Sequence, residues 1–174
     1  MRCAMTGQAL EDPSDGIWDD GEWVSWSFIN QQFEDYELRE EFSKTNLATV
    51  RAFQDLVEVA YRYNALTGRY LQIWGELGEL FVEVKYGLKR HRIHATGSDG
   101  RIGNDFVEVK TLSPGKAKDF VLVKRAGNFS KLFLVKISED FDFEARTIDR
   151  KSIRKGPGTH ARVTWESCTK IAFP

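Results

Sequence analysis

The chain has few of the residues that staple or ligate: two cysteines and three histidines among 174 residues. Cys3 and Cys168 stand near opposite ends, and no Cys-x-x-Cys occurs, which excludes a disulfide framework and leaves at most one bridge between the termini. A reducing cytoplasmic compartment fits this usage best. His91, His94 and His160 are too few and too poorly spaced for a zinc cluster. No run of about 18 apolar residues is present, and residues 1–10 have neither a basic flank nor a hydrophobic segment of a leader. Neither secretion nor a membrane partner is expected. Internal repeats and low-complexity tracts are also lacking, which excludes solenoid and fibrous classes.

What is present is enough for one core: 41% of residues are hydrophobic and 29% charged. The formal net charge of −1 conceals an asymmetry. Residues 1–44 hold eleven acidic and three basic side chains, net −8, while residues 85–174 hold ten acidic and nineteen basic, net +9. The basic groups come in bunches, among them Lys85, Lys89, Arg90 and Arg92, then Lys124 and Arg125, then Arg150, Lys151, Arg154 and Lys155. Scattered lysines usually serve solubility, but a positive half is where a polyanion binds.

Patterning divides the chain at about residue 44. Residues 1–44 read as an acidic extension with a small hairpin around Asp19-Asp20-Gly21, and Trp18, Trp23 and Trp26 are expected as buried anchors. Asn46 is a plausible cap for an amphipathic helix marked by Leu47, Val50, Phe53, Val57 and Ala60 and closing near Gly68. A second helix runs to about Tyr86-Gly87 with an apolar stripe of Ile73, Trp74, Leu77, Leu80, Phe81 and Val84. Strands are expected over about 92–102, 106–112, 131–137, 141–148 and 161–165, with a basic loop over 150–158. Residues 119–125 stay ambiguous, because Phe120-Val121-Leu122-Val123 has strand composition where a helix is the alternative. The class is α/β, with one domain over about 45–174.

The chemistry lies between Gly97 and Thr111. Phe106-Val107-Glu108-Val109-Lys110 alternates, so Glu108 and Lys110 project from one face of a strand. If Gly103-Asn104 forms the turn of a hairpin, Asp99 comes opposite Glu108. Two carboxylates so close repel unless a cation lies between them, and hard oxygen ligands suit Mg²⁺ or Mn²⁺. Asp105 competes as the ligand aspartate, but its odd spacing from Glu108 puts it on the other face or at the turn tip. On the preceding helix, Glu76, Glu79 and Glu83 line up at three- and four-residue spacing. Gly75 and Gly78 each cost roughly 1 kcal/mol in a helix interior, which implies close backbone approach.

The order Asp99-Gly100 followed by Glu108-Val109-Lys110 resembles the PD-(D/E)xK nuclease superfamily, and Gly97-Ser98-Asp99-Gly100 is similar to its lambda-type exonuclease pattern, with Ser98 in place of proline. That resemblance implies a restriction-endonuclease-like fold, a central mixed sheet flanked by helices, with a small acidic N-terminal extension here. It implies Asp99 and Glu108 as metal ligands, Lys110 on the attacking water or transition state, and Glu79 from the helix as a further ligand, with Glu76 in reserve. Histidine-based nuclease chemistry is disfavoured. The implied activity is Mg²⁺-dependent hydrolysis of DNA phosphodiesters, endonucleolytic, in restriction, recombination and repair or phage biology; a homodimer would cut both strands. RNA stays open, because phosphate contacts carry no sugar information. Lys89, Arg90, Arg92, Arg101, Lys116, Lys118, Arg154 and Lys155 are the expected phosphate contacts. Each motif alone is commonplace, since Glu-x-Lys is most often an exposed salt-bridging face and a glutamate stripe a solvated one. Their coincidence in order within some 35 residues carries the reading. Two alternatives are a nucleic-acid-binding module of the same fold that does not cut, and a protein-interaction domain acting through the acidic extension.

Overall fold

Helix formation in the larger unit begins at Asn46, whose side chain accepts from Thr49 N–H at 2.9 Å and so caps α2 (Leu47–Thr67). Gly68 closes it in the left-handed region (φ 65°), where a side chain would be strained. Val50, Phe53 and Ala60 form its buried stripe. The next helix, α3 (Trp74–Tyr86), buries Trp74, Leu77, Gly78, Leu80, Val82 and Val84, and Gly87 ends it. Complete burial of a leucine such as Leu77 is worth about 2 kcal/mol, so this face rather than capping holds the helix in place.

The computed structural model describes residues 1–92, 97–116 and 118–171, and two compact units divide the chain, Met1–Ser43 and Lys44–Pro174. Three α-helices and a mixed central sheet make it an α/β protein among the described residues. In the larger unit the strands are β3 (Lys89–Arg90), β4 (Gly100–Ile102), β5 (Asp105–Leu112), β6 (Phe120–Lys124), β7 (Lys131–Ile137), β8 (Phe143–Asp149), β9 (His160–Thr164) and β10 (Thr169–Lys170). Six of them form one sheet in the order β10-β8-β7-β5-β4-β3, with β5 and β7 parallel and the remaining neighbours antiparallel. A parallel neighbour needs a crossover, and here the crossover carries β6, which pairs outside the sheet with β9.

The sheet is covered on both faces. α3 approaches β5 so closely that a Cβ on Gly78 would collide with Thr111 Oγ1, and the Tyr86 and Phe133 rings meet at 5.4 Å on the same side. On the other face Leu112, Leu132 and Leu134 pack with Val123 and Val163 of the ribbon and with Trp165.

Several expectations are corrected. Residues 92–102 do not form one strand: β3 ends at Arg90, β4 begins at Gly100, and positions 93–96, His94 among them, lie outside the described residues. The strand expected from 141 starts at Phe143, because Phe141 turns back in the left-handed region (φ 65°), where its ring packs on Trp74 at 5.8 Å. Residues 119–125 resolve as strand because β9 supplies their backbone partners. Gly78 makes the close approach expected of it, whereas a Cβ on Gly75 would meet nothing within 4 Å. Both cysteines are free and buried.

The smaller unit is a hairpin of β1 (Gly16–Asp19) and β2 (Glu22–Ser25), turning through Asp20 (φ 44°) and Gly21 (φ 90°), followed by α1 (Trp26–Glu41). The Ser25 hydroxyl caps α1 by accepting from Phe28 N–H at 3.3 Å. This helix has no buried residue, although Trp26, Ile29, Phe33 and Tyr36 recur at helical spacing in its sequence. Trp18 and Trp26 are not buried anchors, being 58% and 43% exposed. Trp18 instead packs edge-on against Trp23 across the hairpin, since a two-stranded ribbon has too little surface to bury both rings. No helix among the described residues is long and apolar enough to cross a membrane.

Candidate active site

The β4–β5 hairpin closes through the two-residue Gly103-Asn104 turn, with Gly103 at φ 58° as such a turn requires. Its register pairs Ile102 with Asp105, Arg101 with Phe106 and Gly100 with Val107. One residue further, Asp99 N–H also donates to the Val107 carbonyl (2.9 Å), so two residues of the first arm meet one of the second. This is a β-bulge, a feature that interrupts pairing and re-aims a side chain. The simple register that would set Asp99 across from Glu108 therefore stops at Gly100. The half-buried Asp99 carboxylate instead accepts from Val109 N–H at 2.6 Å, and the Asp99 carbonyl accepts from His91 N–H at 2.9 Å. Gly100 has no room for a side chain, because a Cβ there would press on the Lys89 carbonyl and Leu88.

Glu108 and Lys110 share a face of β5 as their alternation requires, and Lys110 Nζ donates to Glu108 Oε1 at 2.5 Å. Both are partly screened from water, with side chains 18% and 34% exposed. Glu79 stands on the α3 turn facing this region. Burial pushes its carboxyl up to about 7, and the negative charges of Asp99 and Glu76 add to the rise against the pull of Arg90 and Lys110. The three-glutamate stripe is thereby sorted. Arg90 bonds Glu83 at 2.7 Å and also bonds Glu76, so the two outer carboxylates are ion-paired, while Glu79 between them is partly buried and keeps its raised pKa.

The other expected residues separate into two groups. Asp105 lies at the start of β5, where Ser130 Oγ (2.9 Å) and Lys131 Nζ (3.1 Å) hold its carboxyl below the usual range. It belongs to the β5–β7 contact and not to the Asp99 region. Among the phosphate contacts, Arg90 is occupied by glutamates and Arg101 lies over the Phe106 ring at 4.8 Å. Lys89, Arg92, Lys116, Arg154 and Lys155 are exposed, as is Lys118, whose ammonium lies 5.8 Å from the Phe120 ring.

One pair at the site had no legible signal in the sequence. His91 Nε2 lies 3.1 Å from Ser98 Oγ, beside Asp99, because β3 runs back along the bulged arm. Among the described residues no three His, Cys, Asp or Glu side chains are gathered as a metal-holding group. No protein-family model matches the chain, and no curated protein is significantly similar to it.

Proposed function

We propose that the chain is a divalent-cation-dependent nuclease of the PD-(D/E)xK type, acting on DNA phosphodiesters. The observation that carries this reading is an α3 glutamate whose raised pKa responds to the charges of Asp99 and Lys110, with the bulge-held Asp99 and the Glu108–Lys110 pair carried by one hairpin. A helix that leads into an antiparallel hairpin bearing Asp99 and then Glu108-x-Lys110 supports the restriction-endonuclease-like fold.

The donors fit a hard cation in kind, being all carboxylate oxygen, and burial together with the charges of Asp99 and Glu76 raises the Glu79 pKa. Asp99, Glu108 and Glu79 would hold Mg²⁺ or Mn²⁺, which when bound polarises the phosphodiester and activates water. Val109 N–H fixes the orientation of Asp99. Lys110 donates to Glu108 and brings a positive charge to where a phosphoryl group would gain negative charge. The exposed basic residues Lys89, Arg92, Lys116 and Lys118 would contact the backbone of the substrate.

The second reading, a module of this fold that binds nucleic acid without cutting, is favoured by one specific observation. Asp99 and Glu108 each turn to a protein partner and do not stand in a three-carboxylate group. Supercoiled and linear DNA incubated with Mg²⁺, Mn²⁺ or EDTA separates the two. Nicked or linearised circles with either cation, lost in EDTA and in Asp99→Ala or Glu108→Ala, are expected. Asp105→Ala should keep most activity, and comparable loss in that folded variant would move the ligand role to Asp105. Intact DNA throughout, with binding whose log-log salt slope is about −0.9 per phosphate contact, would establish the silent module.

A further inference from the structure

Two arginines on the neighbouring strands β3 and β4 have opposite surroundings. Arg90 pairs with Gly100 and is held by Glu76 and Glu83 of α3. Arg101 pairs with Phe106 across the hairpin and with Lys89 on β3, so these three side chains stand in one row on one face of the sheet. Alternation along β5 puts Glu108 and Lys110 on that same face, and the row therefore begins two residues of extended strand, roughly 7 Å, from Glu108. Lys89, Arg101 and Phe106 are all exposed, Phe106 by 37%. The plainest account of such a row is a solvated strand surface. Two features exceed it. The Arg101 guanidinium lies over the Phe106 ring at 4.8 Å, and His91 meets the same ring at 6.2 Å, so a long side chain that would otherwise sample many rotamers is laid in one direction. The ring orients the guanidinium but carries no net charge, and among the described residues neither Arg101 nor Lys89 is ion-paired.

We infer that Arg101, set in place by Phe106, binds a backbone phosphate of DNA and that Lys89 continues the contact along the row. A strand with one phosphate at the Glu108–Lys110 pair thereby runs out over β4 and β3. Phe106 acts through Arg101 and is a positioning residue. A guanidinium already laid in its bound direction loses less freedom when it closes on a phosphate than a free one does, and its planar fork matches the phosphate oxygens. The inference rests on the nucleic-acid reading above but not on cleavage, and it gives the substrate a path over the sheet face beside the carboxylates.

The test uses the full chain in EDTA, so that no DNA is cut, and fluorescence anisotropy with a labelled duplex over a series of salt concentrations. Arg101→Gln should lower the log-log salt slope by about 0.9, the loss of one phosphate contact, and Lys89→Gln should lower it by a similar amount. Phe106→Leu removes the ring and no charge. It should keep the parent slope and weaken binding about two- to fivefold, the size of an exposed cation–π contact expressed as an affinity ratio. In the Arg101→Gln background the same Phe106→Leu change should have no further effect, because nothing remains for the ring to place. Phe106→Tyr keeps a ring and should keep the parent affinity. Melting curves verify that the variants, all at exposed positions, are folded. An unchanged slope in folded Arg101→Gln, or losses from Arg101→Gln and Phe106→Leu that simply add, would overturn the inference. A parent that binds with a steep slope which Arg101→Gln leaves intact loses this contact and keeps the nucleic-acid reading; a parent that binds no DNA loses both.

Discussion

The units Met1–Ser43 and Lys44–Pro174 hold helices by different means. In α1 sixteen residues include none that is buried, and Phe33 and Tyr36 are 65% and 62% exposed. α3 is shorter, thirteen residues, yet buries six. α1 depends on its Ser25 cap and on local hydrogen bonds, whereas α3 has no side-chain cap and depends on packing against β5. Isolated helices of this length are marginal in water, so burial is the larger contribution and local signals the smaller. In the first unit the buried residues are Cys3, Leu10 and Ser25, too little for an independent core.

The sharpest way to break this contrast is to separate the units. Residues 44–174 alone should melt cooperatively, and residues 1–43 alone should show no transition by circular dichroism. A cooperative melt from the smaller piece would show that capping suffices. Next in size, Leu77→Ala should destabilise the chain by about 2–5 kcal/mol in denaturant titration, while Phe33→Ala on α1 should change it by less than about 0.5 kcal/mol. Similar values for both would remove the distinction between the helices.

The two α3 glycines sharpen it further. Gly78→Ala must push α3 off Thr111 and should cost about 1–3 kcal/mol. Gly75→Ala meets open space and should instead stabilise by roughly 0.5–1 kcal/mol. The smallest effect concerns Glu79. Its folded carboxyl titrates near 7, above the usual 4.5, so the folded state holds the proton more tightly. The associated stability is present below the usual value and is lost as pH rises through about 7. In EDTA the melting temperature should therefore fall more between about pH 5 and pH 8 for the parent than for Glu79→Gln. Equal slopes would show that the folded surroundings, burial first among them, do not raise the Glu79 carboxyl.

Much of the larger unit was legible because its signals are local. Asn46, Gly68 and the Val50-Phe53-Ala60 stripe mark α2, and Gly103-Asn104 between alternating arms marks the hairpin. The Glu108–Lys110 pair follows from strand alternation alone. α1 has a readable period in Trp26, Ile29, Phe33 and Tyr36, but with none of its residues buried that period does not correspond to a core face. The buried tryptophans were misjudged because aromatic content does not say whether enough surface exists to cover it. The Asp99 geometry was only half legible: the hairpin fixed its neighbourhood, but the bulge shifted its partner from Glu108 to Val109 N–H.

The sequence by itself determined the elements with local periodicity or turn chemistry, the charge asymmetry, and which acidic and basic side chains share a strand or helix face. These depend on residues within a turn or two of one another. Only the tertiary structure decided that Arg90 pairs with Glu76 and Glu83 while Glu79 keeps a raised pKa. It alone turned Phe120–Lys124 into a ribbon with His160–Thr164. The physical reason is that burial and charge pairing depend on groups distant in the chain, whose meeting is set by packing of the sheet faces and has no local pattern to announce it.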